Sequence, residues 1–263
     1  MIRVGLLFPG EMGTEVGRAA AADVLWTSEG RSEATASRAA SAGFRDVGTL
    51  RALVEESEIV LCLCPPAVAE EVATAVAEAG FTGLYIEANA IAPERAGRIA
   101  SMLGERGARV VDGSIIARSG LNLYLSGDAN DVERAAALFV DTDVSAAPLP
   151  GGVGAASALK MAFGGWNKIG LALVAQAYGI ARAYGVEEAL AGEGVESDRI
   201  VRAGPKAWRW APEMREVSET CASLGLPAGL GNAAAELYER WAAHRDHPAE
   251  LEQLLDDLIA TRP

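Results

Sequence analysis

Histidine and cysteine are scarce in this chain of 263 residues, with two of the first and three of the second. That scarcity argues against a structural metal centre or a disulfide framework. Cys62 and Cys64 make one CxC half-site, but no second cysteine pair exists and only His244 and His247 remain as partners, so no metal is expected. Positive charge is also in deficit: 23 Lys and Arg stand against 36 Asp and Glu, a net charge of -13. Nucleic-acid binding needs a basic face, so no nucleic acid is expected as a partner. An anionic ligand would have to be held by a local positive site. Apolar runs are short as well. None reaches the roughly 18 residues of a membrane span, and the stretch 169–186 that comes closest is interrupted by Gln176 and Arg182. The segment VGLLF (4–8) after Arg3 is shorter than the roughly 7–15 apolar residues of a signal-peptide core. A cytoplasmic chain with no membrane contact is therefore expected.

What is present is ordinary globular composition, 50% hydrophobic and 22% charged. From 2 to 147, short apolar runs (IRVGLLF, DVLWT, IVLCLC, GLYIEA, ARVVDGSII, LNLYLS) alternate with amphipathic stretches at 16–22, 34–42, 67–79 and 93–105. Near-continuous apolar runs suit strands buried on both faces, and this alternation predicts a parallel sheet with right-handed crossovers. The pattern changes at the Pro–Gly cluster 148–154, after which 155–184 predicts one long helix. Further helices are expected over about 186–203, 205–224, 228–245 and 247–260. The fold class is thus α/β, with a doubly wound dinucleotide-binding domain over 1–148 and an all-α domain over 149–263.

The first strand runs into FPGEMGTEVG (8–17). A GxGxxG turn between strand and helix serves a tight bend, close approach of pyrophosphate and helix packing. Here Phe8 takes the first glycine's place, with Gly10 and Gly13 at the second and third. A helix starting near Glu11 would offer its N-terminus to the pyrophosphate, so Phe8, Pro9, Gly10, Glu11 and Met12 are cofactor candidates. The second strand ends in TSEGRSEAT (27–35). Ser28, Arg31 and Ser32 suit a 2′-phosphate and hence NADP, whereas Glu29 would hold a ribose diol and hence NAD. NADP is the favoured expectation. Cys64 and Pro65, after the IVLCLC run, and Asn89, after GLYIEA, complete the set of cofactor candidates.

With these pieces placed, the chain resembles the β-hydroxyacid dehydrogenase superfamily, which includes 6-phosphogluconate and 3-hydroxyisobutyrate dehydrogenases. The resemblance covers nearly the whole length. The superfamily's GxGxMG turn is matched by Gly10, Met12 and Gly13, and its Asn-Arg-Thr in part by Gly30, Arg31 and Ser32. Its DxSTxxP pattern keeps an acid and Pro93 in EANAIAP (87–93), with Asn89 at the serine position. Its substrate segment DxPVSGG corresponds to DGSIIAR (112–118), without the glycine pair. Its GxxGxGxxxK corresponds to GGVGAASALK (151–160), which makes Lys160 the catalytic lysine. LKMAFGGWNKIGLAL and the KAWRWAPEM region look like the branch with a C-terminal domain of unknown function. The resemblance also implies a homodimer.

Lys160 suits the chemistry. Hydride reduction of a carbonyl leaves a developing alkoxide that needs a proton donor, and an ammonium in an apolar helical stretch yields its proton more readily. On a straight helix Asn167 falls within about 20° of Lys160 and Lys168 about 80° away, so both are candidate catalytic companions. The superfamily's substrate-holding Asn is replaced by Gly164, beside Gly165, which fits either a bulky substrate or a close helix crossing. Ser114, Ile115 and Arg118 are the remaining substrate-binding candidates. Arg209 and Glu213 share a helix face and are expected to pair with each other or line a cleft. Two further functional readings stay open beside hydroxyacid or carbonyl chemistry on a small-molecule substrate. DGSIIA is similar to the corresponding segment of imine reductases, which points to C=N reduction. Phe8 and Gly164 point to a non-catalytic dinucleotide sensor.

Overall fold

A computed structural model of the chain describes residues 1–259. It divides into two compact units, Met1–Lys160 and Met161 onward.

The first unit is built on one sheet: β1 (Arg3–Leu7), β2 (Asp23–Trp26), β3 (Arg45–Asp46), β4 (Ile59–Cys62), β5 (Leu84–Glu87), β6 (Arg109–Ala117), β7 (Leu121–Gly127) and β8 (Val144–Pro148). The strand order is β3-β2-β1-β4-β5-β6-β7-β8. Its first six members follow the order 3-2-1-4-5-6, which reverses direction between β1 and β4. The helices are α1 (Glu11–Ala19), α2 (Glu33–Ser41), α3 (Leu50–Glu56), α4 (Ala69–Glu78), α5 (Pro93–Gly104), α6 (Ala129–Ala136) and α7 (Ala155–Gly164), the last running past Lys160. Strand alternation sorts the core into two layers. Val4, Leu6, Ile59, Leu61, Leu84 and Ile86 face one side with Val16, Ala39 and Val132. Leu7, Val60, Cys62 and Tyr85 face the other with Leu53, Ala73, Val76, Ile99 and Leu103.

The structure departs from a wholly parallel sheet at one place. β6 and β7 pair antiparallel through a hairpin at 118–120, because so short a link cannot make the crossover that parallel strands require. β3 and β8 carry little hydrophobic signal: β3 is exposed and β8 is mostly half-exposed.

In the second unit the apolar stretch through 184 is helical but not uniform. A π-helical turn over 165–169 separates α7 from α8 (Gly170–Tyr184). The region 186–203, expected as one helix, splits at Gly192 and Gly194 into α9 (Glu187–Gly192) and α10 (Asp198–Ala203). Then come α11 (Ala207–Ser223), α12 (Gly229–Arg240) and α13 (Leu251–Ile259). Trp241, Tyr238, Met214 and Leu254 are fully buried here, and the Trp241 indole donates to the Leu254 carbonyl at 2.8 Å. Among the described residues, no helix is long and apolar enough to cross a membrane, and no group of three or more His, Cys, Asp or Glu is placed to hold a metal ion.

Candidate functional site

The order reversal between β1 and β4 opens a crevice at the carboxyl ends of the strands, where ligands bind in sheets of this kind. The turn after β1 forms one wall. Phe8 adopts a left-handed backbone, with φ of +63°, and the Gly10 N–H donates to its carbonyl at 2.7 Å. A Cβ at Gly13 would come within 2.6 Å of that carbonyl oxygen, so the third position of the motif must be glycine. The Pro9 carbonyl accepts from the Thr14 hydroxyl and from Arg38, each at 3.2 Å. α1 then opens at Glu11 without a side-chain cap, which leaves its positive end available to an anion. Met12 lies exposed in its first turn. Cys64 and Pro65 follow β4 on the other side of the reversal, and Pro65 leads into a short 3₁₀ turn.

At the end of β2 the acidic groups are already engaged. Glu29 Oε2 accepts from the Leu50 N–H at 3.0 Å, at the start of α3. Asp46 Oδ1 accepts from the N–H groups of Ser28 and Gly48 at 3.1 and 2.9 Å. Ser32 is the N-cap of α2, accepting from the Thr35 N–H at 3.3 Å. Arg31 is different. Its guanidinium centre lies 3.7 Å from the centroid of the Phe8 ring. Among the described residues the guanidinium makes no hydrogen bond or ion pair. Burial disfavours its charge, against which the thiols of Cys64 and Cys62 and the carboxylate of Glu29 act.

The carboxyl ends of β4, β5 and β6 bring Cys62, Glu87 and Asp112 side by side across the sheet. Asn89 donates from Nδ2 to Glu87 Oε1, and to Cys62 Sγ at 3.5 Å. Burial pushes the Glu87 carboxyl well above the usual carboxylate range, and negative charge at Cys62 and Asp112 adds to the effect. The hydrogen bond with the Cys62 thiol, then burial, likewise raise Cys64. Glu87 Oε2, Asn89 Oδ1 and Ser114 Oγ are buried without a hydrogen-bond partner among the described residues. Such orphans are costly, and they give this end of the sheet an unused capacity for polar contacts.

Asp112 was not singled out by sequence reasoning beyond its place in a segment, yet it organises the start of α7. Its carboxylate accepts from the N–H groups of Gly154 and Ser157, both at 2.9 Å, and from the hydroxyls of Ser157 and Ser126 at 2.6 and 3.3 Å. The Ala156 N–H donates to Ser126 at 3.0 Å. A buried acid thus satisfies the helix's orphan donors and fixes its axis. One consequence is the placement of Lys160, whose Nζ donates to the Ile115 carbonyl at 2.5 Å. Lys160 and Ile115 are therefore brought together, while Arg118 sits exposed in the β6–β7 hairpin.

In the second unit, Gly164, Asn167, Lys168 and Glu213 have defined neighbours. A Cβ at Gly164 would come 2.7 Å from Glu213 Oε1, and one at Gly165 would come 3.2 Å from Val217 Cγ1. Gly164 is thus buried against α11 at a close helix crossing. The π turn holds an extra residue per turn, so the straight-helix angles for Asn167 and Lys168 do not apply. Asn167 accepts through its side-chain oxygen and its carbonyl from Arg199. Lys168 pairs with Glu213, both nearly buried, and lies 5.4 Å from the Trp210 ring centroid. Glu213 therefore has Lys168 as an ion-pair partner.

Comparison with known proteins follows this geometry. A family model described as a domain of unknown function, DUF1932, matches residues 181–241. No curated protein matches the chain. Among solved structures, 3-hydroxyisobutyrate dehydrogenase of Mycobacterium tuberculosis is 18% identical with a TM-score of 0.75, over 99% of this chain and 100% of that one. The Salmonella typhimurium 3-hydroxyisobutyrate dehydrogenase is 14% identical with a TM-score of 0.70, over 97% and 99%. The fold is like that of these 3-hydroxyisobutyrate dehydrogenases, and the DUF1932 match falls within the helical second unit. An imine reductase from Myxococcus stipitatus, in complex with NADP+, shares that architecture at 18% identity and a TM-score of 0.57, over 98% and 99%. Against the pattern this chain resembles, Phe8 stands at the first glycine of the turn after β1, and Ala117 and Arg118 stand at the glycine pair that follows Asp112.

Proposed function

We propose that the chain is a nicotinamide-dinucleotide-dependent oxidoreductase that prefers NADP(H) and acts on a small hydroxyacid or related carbonyl, with Lys160 as acid/base. One observation carries the cofactor reading: Glu29, after β2, and Asp46, at the end of the neighbouring β3, are taken up by backbone N–H groups, while the Arg31 guanidinium has no acceptor among the described residues. That arrangement favours a phosphate over a ribose diol. The residues also fit the rest of a dinucleotide. The uncapped start of α1 suits the pyrophosphate, with Pro9, Gly10, Glu11 and Met12 around it. The orphaned Asn89 and Ser114 oxygens suit polar groups near the strand ends, beside Cys64 and Pro65. When bound, the cofactor supplies or accepts the hydride.

The chain's own part is to bind, orient and move a proton. Asp112 fixes α7, and the Ile115 carbonyl holds the Lys160 ammonium at a defined point. During carbonyl reduction Lys160 donates a proton to the developing alkoxide, and during alcohol oxidation it withdraws the hydroxyl proton. Asn167 and Lys168, engaged with Arg199 and Glu213, support the fold of the second unit in this reading. A second reading, reduction of a C=N bond, is favoured by Ile115 and Ile116, which give DGSIIA an apolar character. Both are tested by NADPH consumption across a panel of hydroxyacids' keto forms, aldehydes and cyclic imines. Turnover of carbonyls is expected. Turnover confined to imines would support the second reading, and NADPH binding without any turnover would support a dinucleotide sensor.

The proposed site of action is the cytoplasm, consistent with the free thiols of Cys62, Cys64 and Cys221. We also propose a homodimer formed through the second unit. Its α8, α12 and α13 line an apolar groove of about 450 Å³, with Leu173 and Ile180 66% and 61% exposed and Tyr184 80% exposed. Apolar surface of this kind marks an interaction site. Light scattering is expected to return twice the 27.3 kDa chain mass, and the chain mass itself would contradict the dimer.

A further inference from the structure

We infer that Phe8 is a specificity-determining positioning residue, whose ring holds the Arg31 guanidinium in place for the 2′-phosphate of NADPH. The inference rests on the NADP(H) reading above. It concerns what a phenylalanine achieves at a position suited to glycine.

Phe8 has φ of +63°, in the left-handed region that a residue with a Cβ adopts at a cost and glycine adopts freely. Strain of this kind persists where the surroundings hold it in place, and it gathers at ligand-binding turns. Its carbonyl shapes the turn, accepting from Gly10 and lying against Gly13, but that role needs only a backbone. The side chain has two neighbours of different kinds. It packs at the edge of the core layer around Leu7 and Cys64, and it stacks under Arg31 at 3.7 Å. Packing alone would be served by any apolar side chain.

The stack does something more specific. A guanidinium over an aromatic face is held in one plane, and the attraction strengthens when it is partly desolvated. Arg31 is half-buried, and its N–H closes a turn onto the Ser28 carbonyl at 3.0 Å. Both restraints point the same side chain back toward the turn after β1. The carboxylates near this strand end are occupied elsewhere, Glu29 on Leu50 and Asp46 on Ser28 and Gly48. The guanidinium is therefore held by the ring with its donors unused among the described residues, and an incoming phosphate loses less by ordering it. A diol at the same place gains nothing from a positive planar group, so the effect of the ring falls on NADPH alone.

The test is a fluorescence titration of NADPH and NADH against the unaltered protein, Phe8→Leu, Phe8→Trp, Arg31→Lys and Arg31→Ala, with thermal unfolding as the folding control. Phe8→Leu keeps apolar bulk and removes the ring face. It is expected to reduce the NADPH-to-NADH preference about tenfold by weakening NADPH, with NADH affinity changed less than about twofold. Phe8→Trp is expected to keep the preference. Arg31→Lys retains charge without the planar stack and is expected to lose most of it, which tests the stack without altering the strained turn. Equal losses for both cofactors in Phe8→Leu would make Phe8 a structural residue only and overturn the inference. An unchanged preference in Phe8→Leu and Arg31→Lys would also overturn it. If the unaltered protein shows no preference, the NADP(H) reading itself fails and the inference falls with it.

Discussion

Lys160→Ala is expected to lower turnover by about 10²- to 10⁴-fold, the usual contribution of a positioned acid/base, with cofactor affinity almost unchanged. The expectation follows from how the side chain is held. Its ammonium is anchored on the Ile115 carbonyl at 2.5 Å, and the helix bearing it is fixed by the Asp112 carboxylate through Gly154 and Ser157. Removing the amine takes away the proton carrier and its bond to Ile115 but leaves the helix held by Asp112, so the loss should appear in turnover rather than in binding. Lys160→Arg should not restore activity. A guanidinium keeps its charge and cannot yield a proton near neutral pH. Near-normal turnover in the alanine variant would remove Lys160 from the mechanism and shift support to C=N chemistry with another donor.

Glu87→Gln is expected to change the pH dependence of stability. Glu87 is 1% exposed, its Oε2 has no partner, and burial holds its pKa well above the usual value. In the unfolded chain it ionises near the ordinary glutamate value of about 4.3. The folded state therefore binds one more proton than the unfolded state between these two values. Its stabilising contribution is complete below the unfolded pKa and is lost as pH rises through the folded pKa. The slope is about 1.4 kcal/mol per pH unit. Asp112 is shifted in the same direction but is common to both proteins and cancels. Urea unfolding at rising pH from about 5 should show the glutamine variant gaining on the unaltered protein, with that slope until the folded pKa is reached. Parallel pH profiles would mean that Glu87 is ionised within the fold.

The parts of the fold legible in the sequence are those specified locally. Apolar runs of strand length separated by amphipathic helices give β1, β2, β4, β5 and β6 and the change to helices after 148. β3 and β8 escape because a partly exposed edge strand needs little hydrophobic signal. The turn at Phe8, Gly10 and Gly13 and the Arg31 position are legible for the same local reason. The role of Asp112 is not, since its partners Gly154 and Ser157 lie 42 and 45 residues away. Glu213 is hidden equally from its partner Lys168, also 45 residues distant. Gly164 and Gly165 do carry a signal, of a close helix crossing. Which residues of α11 cross there is a tertiary fact, and so is the π turn that follows.

The central claim, an NADP(H)-preferring oxidoreductase, is tested most directly by titrating the unaltered protein with NADPH and with NADH under the same conditions. Charge-assisted bonds from Arg31 to a 2′-phosphate are worth about 1.5–3 kcal/mol each, which corresponds to roughly 10- to 150-fold. NADPH is expected to bind more tightly than NADH by a factor in that range. Equal affinities would contradict the preference, and binding of neither would contradict the account as a whole.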